Sequence, residues 1–263
     1  MVFAERLVLD QDNQANIIYD EHLVRYQLAA KLAPGLKVLD IACGSGYGAN
    51  ILAVAGAKQV VAVDISPEAI MAAQKKYSPA GISFKVGDAE EIKEAAESFD
   101  LIVSFETIEH LKNPEKYLAE LARVLKKEGI ALISTPNKEI FGQKNPYHRQ
   151  EFTKSGFAEI LQKYFSSHLI LEQSAGLASF IKTPEAISGN KISFSNPGQP
   201  LYFIAVCGQG DLAAENLFGE NIVSVNPLAL EKMQNNPAVK LVDKVYSMLI
   251  KIPGVKNFLR KLN

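Results

Sequence analysis

Tryptophan is absent from the chain, and cysteine occurs only twice in 263 residues, as Cys43 and Cys207. That count excludes a disulfide scaffold, and two thiols far apart in apolar or glycine-rich contexts suit a reducing compartment. Long hydrophobic runs are missing too: none approaches the ~20 residues a membrane-spanning helix needs. Glu5, Arg6, Asp10 and Asp12 interrupt the amino end where a secretory leader would need an apolar stretch. A cytoplasmic location is the expectation. The chain also lacks a strong net charge, at −1 overall, yet the balance is uneven: Lys240 to Asn263 carry +5 and the preceding 239 residues −6. A mildly acidic body has no electrostatic footprint for nucleic acid, so such a partner is not expected. What remains is ordinary for a globular protein, 48% hydrophobic and 22% charged, and long enough to bury one large core.

The pattern of the first half alternates. Residues 15–33 read as a helix stopped by Pro34-Gly35. A strand at 37–42, a glycine loop and a helix to Ala55 follow, then a strand at 59–64 and a helix from Pro67 with Ser66 as its cap. Strands are expected at 82–86, 99–105 and 130–134, with a helix capped by Asn113 running from Pro114 to Lys127. Strands and helices alternating at this spacing require crossover connections, hence a mostly parallel sheet covered on both faces. Further on, Thr153 caps a helix to Phe165, and 168–173 and 201–207 read as strands. Between them residues 176–200, rich in Gly, Ser, Asn and Pro, form an insertion too long for a tight turn. The expected division is 1–208 for the main domain and 209–263 for a C-terminal extension.

The segment Val38-Leu39-Asp40-Ile41-Ala42-Cys43-Gly44-Ser45-Gly46-Tyr47-Gly48-Ala49 runs from a strand through glycines into a helix, which brings helix-start amides close to a ligand. Gly44, Gly46 and Ala49 also satisfy a dinucleotide fingerprint, with Asp64 at the ribose-binding place. Charge separates the two readings. Asp40, Asp64, Asp88, Glu106 and Glu109 all fall near the carboxyl ends of strands, and the glycine loop has no Lys or Arg for a diphosphate. A crevice lined by acids favours a cationic cofactor such as S-adenosylmethionine.

These residues resemble the class I S-adenosylmethionine-dependent methyltransferases. VLDIACGSGYGA is similar to their first motif, VVAVDIS to the second-strand motif, VGDAEEI to the adenine-contacting loop, and FDLIVSFETIEHL to the fourth-strand motif. The resemblance covers roughly residues 15–175. It implies a Rossmann-like, doubly wound α/β sheet of seven mostly parallel strands, the last antiparallel, with a helical C-terminal extension. It also implies cofactor contacts from Asp40, Ala42, Gly44, Gly46, Asp64, Ile65, Asp88, Ala89 and Phe105. Asp40 and the glycines would lie at the methionine end, Asp64 at the ribose hydroxyls, and Asp88 with Ala89 at the adenine. Tyr19, His22, Arg25 and Tyr26 on the leading helix would close over the methionyl group.

After the fourth strand comes Glu106-Thr107-Ile108-Glu109-His110. If a helical turn starts at Glu106, then Glu109 and His110 share its face, directing two carboxylates and an imidazole at one point. His148, in Asn145-Pro146-Tyr147-His148-Arg149, is a fourth candidate, since the loops after neighbouring strands four and five should meet above the sheet. The same E-x-x-E-H string occurs in enzymes that 2′-O-methylate small-RNA 3′ ends and in O-methyltransferases of ubiquinone synthesis. By that resemblance Glu106, Glu109, His110 and His148 would hold a divalent metal, Mg or Mn, and His110, His148 and Glu106 would be catalytic. Without metal, Glu106 touches only cofactor and His110 serves as a base.

Glu5-Arg6-Leu7-Val8, Glu21 to Tyr26, the glycine loop, SFETIEH and NPYH with Arg149, Glu151 and Phe152 resemble methyltransferases associated with bacterial surface-polysaccharide synthesis. A sugar or glycan hydroxyl is therefore the expected acceptor, with a quinone precursor or an RNA 3′ end as alternatives. Outside this class stand an NAD-dependent oxidoreductase and a non-catalytic nucleotide-binding module. In the tail, Leu241, Val242, Val245, Tyr246, Leu249 and Ile252 recur at helical spacing among lysines. Such a basic amphipathic helix packs on the body, on a second copy in a homodimer, or on an anionic membrane surface.

Overall fold

In the computed structural model, residues 17–77, 81–142, 145–175, 178–182, 199–210, 212 and 222–225 are described. The elements run α1 (Ile17–Leu32), β1 (Lys37–Ile41), α2 (Tyr47–Val54), β2 (Gln59–Asp64), α3 (Pro67–Lys76), β3 (Ile82–Val86) and β4 (Phe99–Ser104). A single 3-10 turn (Ile108–His110) precedes α4 (Pro114–Val124), β5 (Leu125–Pro136), α5 (Lys138–Phe141), α6 (Lys154–Leu161), β6 (Ser167–Ala175), β7 (Ala178–Lys182), β8 (Tyr202–Gly208) and β9 (Ile222–Val225). The sheet order is β3-β2-β1-β4-β5-β8-β6-β7-β9. Strands β1 to β5 pair in parallel, and β8 slots between β5 and β6 antiparallel to both.

Seven of these strands, β1 to β6 and β8, make the expected sheet with its antiparallel last member. The sheet is wider than expected because Ala178–Lys182, inside the insertion, forms a hairpin with β6, and Ile222–Val225 adds a ninth strand. An edge strand such as β6 would otherwise present unpaired amides and carbonyls. Residues 183–198 of the insertion lie outside the described residues.

Local chemistry sets the helix starts. Ser66 Oγ accepts the Ala69 amide at 3.1 Å, Asn113 Oδ1 the Lys116 amide at 2.9 Å, and Thr153 Oγ1 the Gly156 amide at 3.2 Å. Two helix ends come earlier than the sequence suggests, at Val124 and Leu161 rather than Lys127 and Phe165. At the first, Leu125 is already extended and pairs with Phe99, while Lys126 Nζ bonds Asp100 at 2.7 Å. The lysine run therefore opens a strand and does not prolong the helix.

Strand residues alternate between two packed layers, as the pleat requires. Val38, Leu101, Val103, Leu132, Ile204 and Val206 share a cluster with α1 and α2 side chains such as Val24, Leu28 and Leu52. Leu39, Ile41, Ile102, Ala131, Ile133, Phe203 and Ala205 share the other with Leu118 and Leu121 of α4 and Phe157 of α6. Each odd-even step along a strand thus changes layers, which later decides where the polar residues at the strand ends go. The chain divides into two compact units, Met1–Ser224 and Val225–Asn263. The basic stretch 240–263 lies outside the described residues, among which no helix is long and apolar enough to cross a membrane.

Candidate active site

Between β1 and α2 the backbone turns through three left-handed residues, Ala42 (φ 61°), Gly44 (φ 53°) and Gly46 (φ 79°). The two glycines differ in what surrounds them. A Cβ on Gly46 would stand 2.7 Å from Ala73 Cβ and 2.8 Å from the Phe84 ring, so that glycine packs the loop onto α3 and β3. A Cβ on Gly44 would meet no protein atom within 4 Å, while its amide donates to Asp64 Oδ2 at 2.8 Å. Gly44 therefore borders open space, on the side where the sequence leads one to expect the methyl donor. Gly44→Ala is expected to cost about 1–2 kcal/mol of stability through its left-handed backbone but to weaken donor binding more than tenfold, read by thermal melts and calorimetry. Equal donor affinity in this variant would refute the placement.

Asp64, at the end of β2, is buried and accepts amides on both oxygens, from Gly44 on Oδ2 and from Ser66 at 2.9 Å on Oδ1. Asp40, at the end of β1, is wholly buried. Tyr26 of α1 donates its hydroxyl to Asp40 Oδ1 at 3.0 Å, whereas Oδ2 is buried with no partner of ordinary hydrogen-bond geometry. Burial pushes the Asp40 carboxyl up to about 7, helped by the negative charge of Asp64 and opposed by hydrogen bonds from the Tyr26 hydroxyl and, in a looser geometry, the Ala49 amide. The Tyr26 ring stacks edge-on against Tyr47 and Phe105 at 5.4 and 5.1 Å between centroids. Phe105 is consequently buried against α1. Asp88 follows β3, exposed, with Oδ1 accepting the Glu90 amide at 2.8 Å. Ala89 beside it is buried and Ile65 is exposed.

Arg25, one helical position before Tyr26, is 0% exposed. Its Nη1 donates to Gln173 Oε1 at 2.9 Å and lies 3.9 Å from Glu106 Oε1, and its guanidinium stands 4.5 Å from the centre of the Tyr202 ring. Its Nε and Nη2 are buried without hydrogen-bond partners. Those two nitrogens form one edge of the guanidinium fork, the edge that grips a carboxylate with two parallel bonds. Around it, Tyr202 donates to Glu21 Oε2 at 2.7 Å and Gln173 Nε2 to the Glu21 carbonyl at 2.9 Å, tying α1 to β6 and β8. His22 is pushed well below the usual histidine range by burial and then by the Arg25 charge. Of Tyr19 only the backbone is described, within α1.

The E-x-x-E-H string does not form the α-helical turn expected of it. Glu106 is left-handed (φ 51°), and only a 3-10 turn follows, from Ile108 to His110. The two glutamates therefore part. Ser134 Oγ accepts the Glu106 amide at 3.1 Å and donates to Glu106 Oε1 at 2.7 Å, on the layer that also holds Arg25. Thr135, the next residue of β5 and so on the opposite layer, donates to Glu109 Oε2 at 3.2 Å. Glu109 is 0% exposed, and its Oε1 has no hydrogen-bond partner. Burial, then the nearby Glu106 charge, pushes its carboxyl well above the usual range.

Glu109, His110 and His148 do come together: one ligand atom from each lies within 4.8 Å of the others. Glu106 is outside this group. The loops meet as expected, through Arg149 and Gln150 amides donating to the Glu109 carbonyl at 2.8 and 3.2 Å. His110 Nδ1 bonds the Tyr147 carbonyl at 3.2 Å, and its Nε2 stands 3.7 Å from Glu109 Oε1. The two imidazoles lie edge to face, 4.9 Å apart. Sequence reasoning quoted Glu151 without a role, yet its Oε1 lies 2.9 Å from His148 Nδ1. Its three-residue spacing from His148 falls in a loop, where no helical period makes it a signal. Ser134 and Thr135 were visible only as a string; their roles follow from strand parity.

Residues 39–133 match the family model for a methyltransferase domain. A Mycobacterium tuberculosis protein named "Probable S-adenosylmethionine-dependent methyltransferase" is 32% identical over 162 residues, 60% of this chain and 58% of that protein. A ubiquinone biosynthesis O-methyltransferase of Azorhizobium caulinodans is 35% identical over 108 residues, 40% of this chain and 42% of that protein. The chain thus spans less than two thirds of the relatives' length. Among solved structures, a SAM-dependent methyltransferase of Thermotoga maritima superposes with a TM-score of 0.57 at 20% identity, covering 76% of this chain and 94% of that one. An S-adenosylmethionine-dependent methyltransferase of Mesorhizobium loti gives 0.51 at 17%, covering 69% and 95%. The fold is the Rossmann-like class I methyltransferase fold.

Proposed function

We propose that this chain is an S-adenosylmethionine-dependent O-methyltransferase. The observation that carries the proposal is Asp40: a wholly buried carboxyl beside Asp64 and the glycine loop, whose hydrogen-bond donors, the Tyr26 hydroxyl and the Ala49 amide, are both neutral. Such a group is costly unless a cation comes to it. The donor supplies an ammonium and a sulfonium for that end, a carboxylate for the free edge of Arg25, and ribose hydroxyls for Asp64. Asp88, Ala89 and Ile65 remain for the adenine. The dinucleotide alternative is disfavoured by the antiparallel β8 between β5 and β6, which the six-stranded parallel dinucleotide fold does not have.

Glu109, His110 and His148 fit a divalent cation, because the buried Oε1 of Glu109 lacks a partner and two imidazoles stand beside it; of Mg and Mn, such a set suits Mn, since Mg prefers oxygen ligands throughout. Such a cation would lower the pKa of an acceptor hydroxyl. Glu106, held by Ser134 and near Arg25, belongs with the donor in this arrangement. The acceptor we propose is a hydroxyl of a sugar or glycan intermediate. In support, the Tyr147 ring, 58% exposed on the loop that contacts His110, offers an apolar face to a sugar ring. A quinone-precursor hydroxyl is the second reading, favoured by the activity named for the Azorhizobium relative.

Calorimetric titration with S-adenosylmethionine and with NADH tests the assignment, and preferential NADH binding would overturn it. The donor should also bind more than tenfold more weakly at pH 5.5 than at pH 7.5. With its carboxyl at about 7 in the donor-free protein, Asp40 is mostly protonated at the lower pH and must release its proton to meet a cation. Stability of the donor-free protein moves the other way. The folded value lies above the unfolded one, so the Asp40 contribution is present at low pH and is lost as pH rises through about 7. Asp40→Asn should flatten both dependences.

A further inference from the structure

We propose that Glu151 is a positioning residue, acting through His148 to set which imidazole nitrogen the site receives. The inference deepens the metal reading given above and rests on it for the site's purpose, though not for its test. Glu151 and His148 both belong to the loop after β5, and Oε1 of Glu151 lies 2.9 Å from His148 Nδ1, with the two side chains 1% and 10% exposed. A carboxylate accepts and does not donate, so Nδ1 carries the proton. The other side of the ring agrees. Asn145 Oδ1 accepts the Tyr147 amide at 3.0 Å, which turns its Nδ2 toward His148 Nε2, also at 3.0 Å. An amide N–H arriving at Nε2 needs a lone pair there.

The bonds thus run in one direction, from the Tyr147 amide through Asn145 and His148 to Glu151. His110 has the same tautomer, held by the Tyr147 carbonyl on its Nδ1. Both rings therefore leave Nε2 as the nitrogen with a lone pair, that of His110 standing 3.7 Å from Glu109 Oε1 and that of His148 bonded by the Asn145 N–H, which a cation would have to displace. The two supports differ in kind, since only His148 is backed by a carboxylate. Glu151 Oε2 is buried without a hydrogen-bond partner, and among the described residues no Lys or Arg pairs with this carboxylate. Burying a carboxylate against a single imidazole is an expensive way to fold a loop. As support for a histidine that donates its other nitrogen, it is a recurrent arrangement.

The test uses the full chain without metal, then with Co(II) as the probe. Long-range 1H–15N correlation spectra report the tautomer of each of the four histidines, with His148→Gln identifying the signal. The wild-type chain should show His148 as the Nδ1–H form alone. Glu151→Ala should show a mixture of tautomers and bind Co(II) about 10- to 100-fold more weakly. Glu151→Gln, which keeps an acceptor oxygen without the charge, should restore the single tautomer and part of the affinity. Glu151→Ala with the wild-type tautomer and affinity would overturn the assignment. If that variant does not fold, Glu151→Gln decides: about tenfold weaker Co(II) binding supports the role, and wild-type binding overturns it. A wild-type chain that takes up no Co(II) removes the metal reading, while the tautomer spectra still decide for or against Glu151.

Discussion

Glu109→Gln should melt at a higher temperature than the wild-type chain and lose about a hundredfold or more in methyl transfer. Both effects come from one atom. Glu109 Oε1 is buried with no hydrogen-bond partner and shares its surroundings with the Glu106 charge. Glutamine keeps an oxygen for the Thr135 hydroxyl and removes the charge that burial penalises. The folded carboxyl lies well above its usual range, so its contribution to stability is present at low pH and lost as pH rises above the unfolded value. The stabilisation of the variant over wild type should therefore grow from pH 5 to pH 8. Donor affinity should stay within a few-fold, since Glu109 lies on the layer away from Arg25 and Asp40. Thermal melts at the two pH values, calorimetry and transfer assays with Mn(II) check this. Undiminished transfer would remove Glu109 from the chemistry, and a lower melting temperature at pH 8 would mean that Oε1 is bonded.

Arg25→Met should weaken S-adenosylmethionine binding by at least about a hundredfold, or roughly 3 kcal/mol, the scale for deleting one member of a buried, hydrogen-bonded charge pair. The guanidinium is buried with Nε and Nη2 partnerless, so in the donor-free protein the loss of its contacts to Gln173, Glu106 and Tyr202 is partly offset when it goes. Gln173 Oε1 gives up one bond, while two orphaned groups disappear, and a long apolar side chain still fills the space beside Tyr202. Arg25→Lys should fail to restore binding, because an ammonium cannot present two parallel donors. Unchanged donor affinity in Arg25→Met would show that the free edge faces something else. Both substitutions test a common point: the site holds charge at the expense of stability, a trade often seen where function needs it.

Much of the architecture was legible because it follows from period and capping. Ser66, Asn113 and Thr153 announced three helix starts, and β2 and β3 fell on the expected residues. β7 was not legible, since a short strand inside a Gly- and Ser-rich stretch exists only because β6 offers it an edge. In the site, residue types and chain order pointed to the right loops. They could not show that Glu106 is left-handed, for no pattern of side chains marks a non-glycine residue at φ 51°. Spacing alone therefore grouped Glu106 with Glu109 and His110, while the backbone separates it. Glu151 was overlooked because a partner three residues away in a loop leaves no periodic trace.

The end of β5 has a consequence for how this protein can vary. Ser134 and Thr135 are neighbours in sequence but serve opposite faces of the sheet, one hydroxyl for each glutamate. An insertion or deletion of one residue just before them would exchange their sides, leaving each carboxylate without its hydroxyl in a single event. The pair therefore tolerates exchange of one hydroxyl residue for another far better than any change in the length of the strand, and the distance between the two halves of the site is in effect counted out by the pleat.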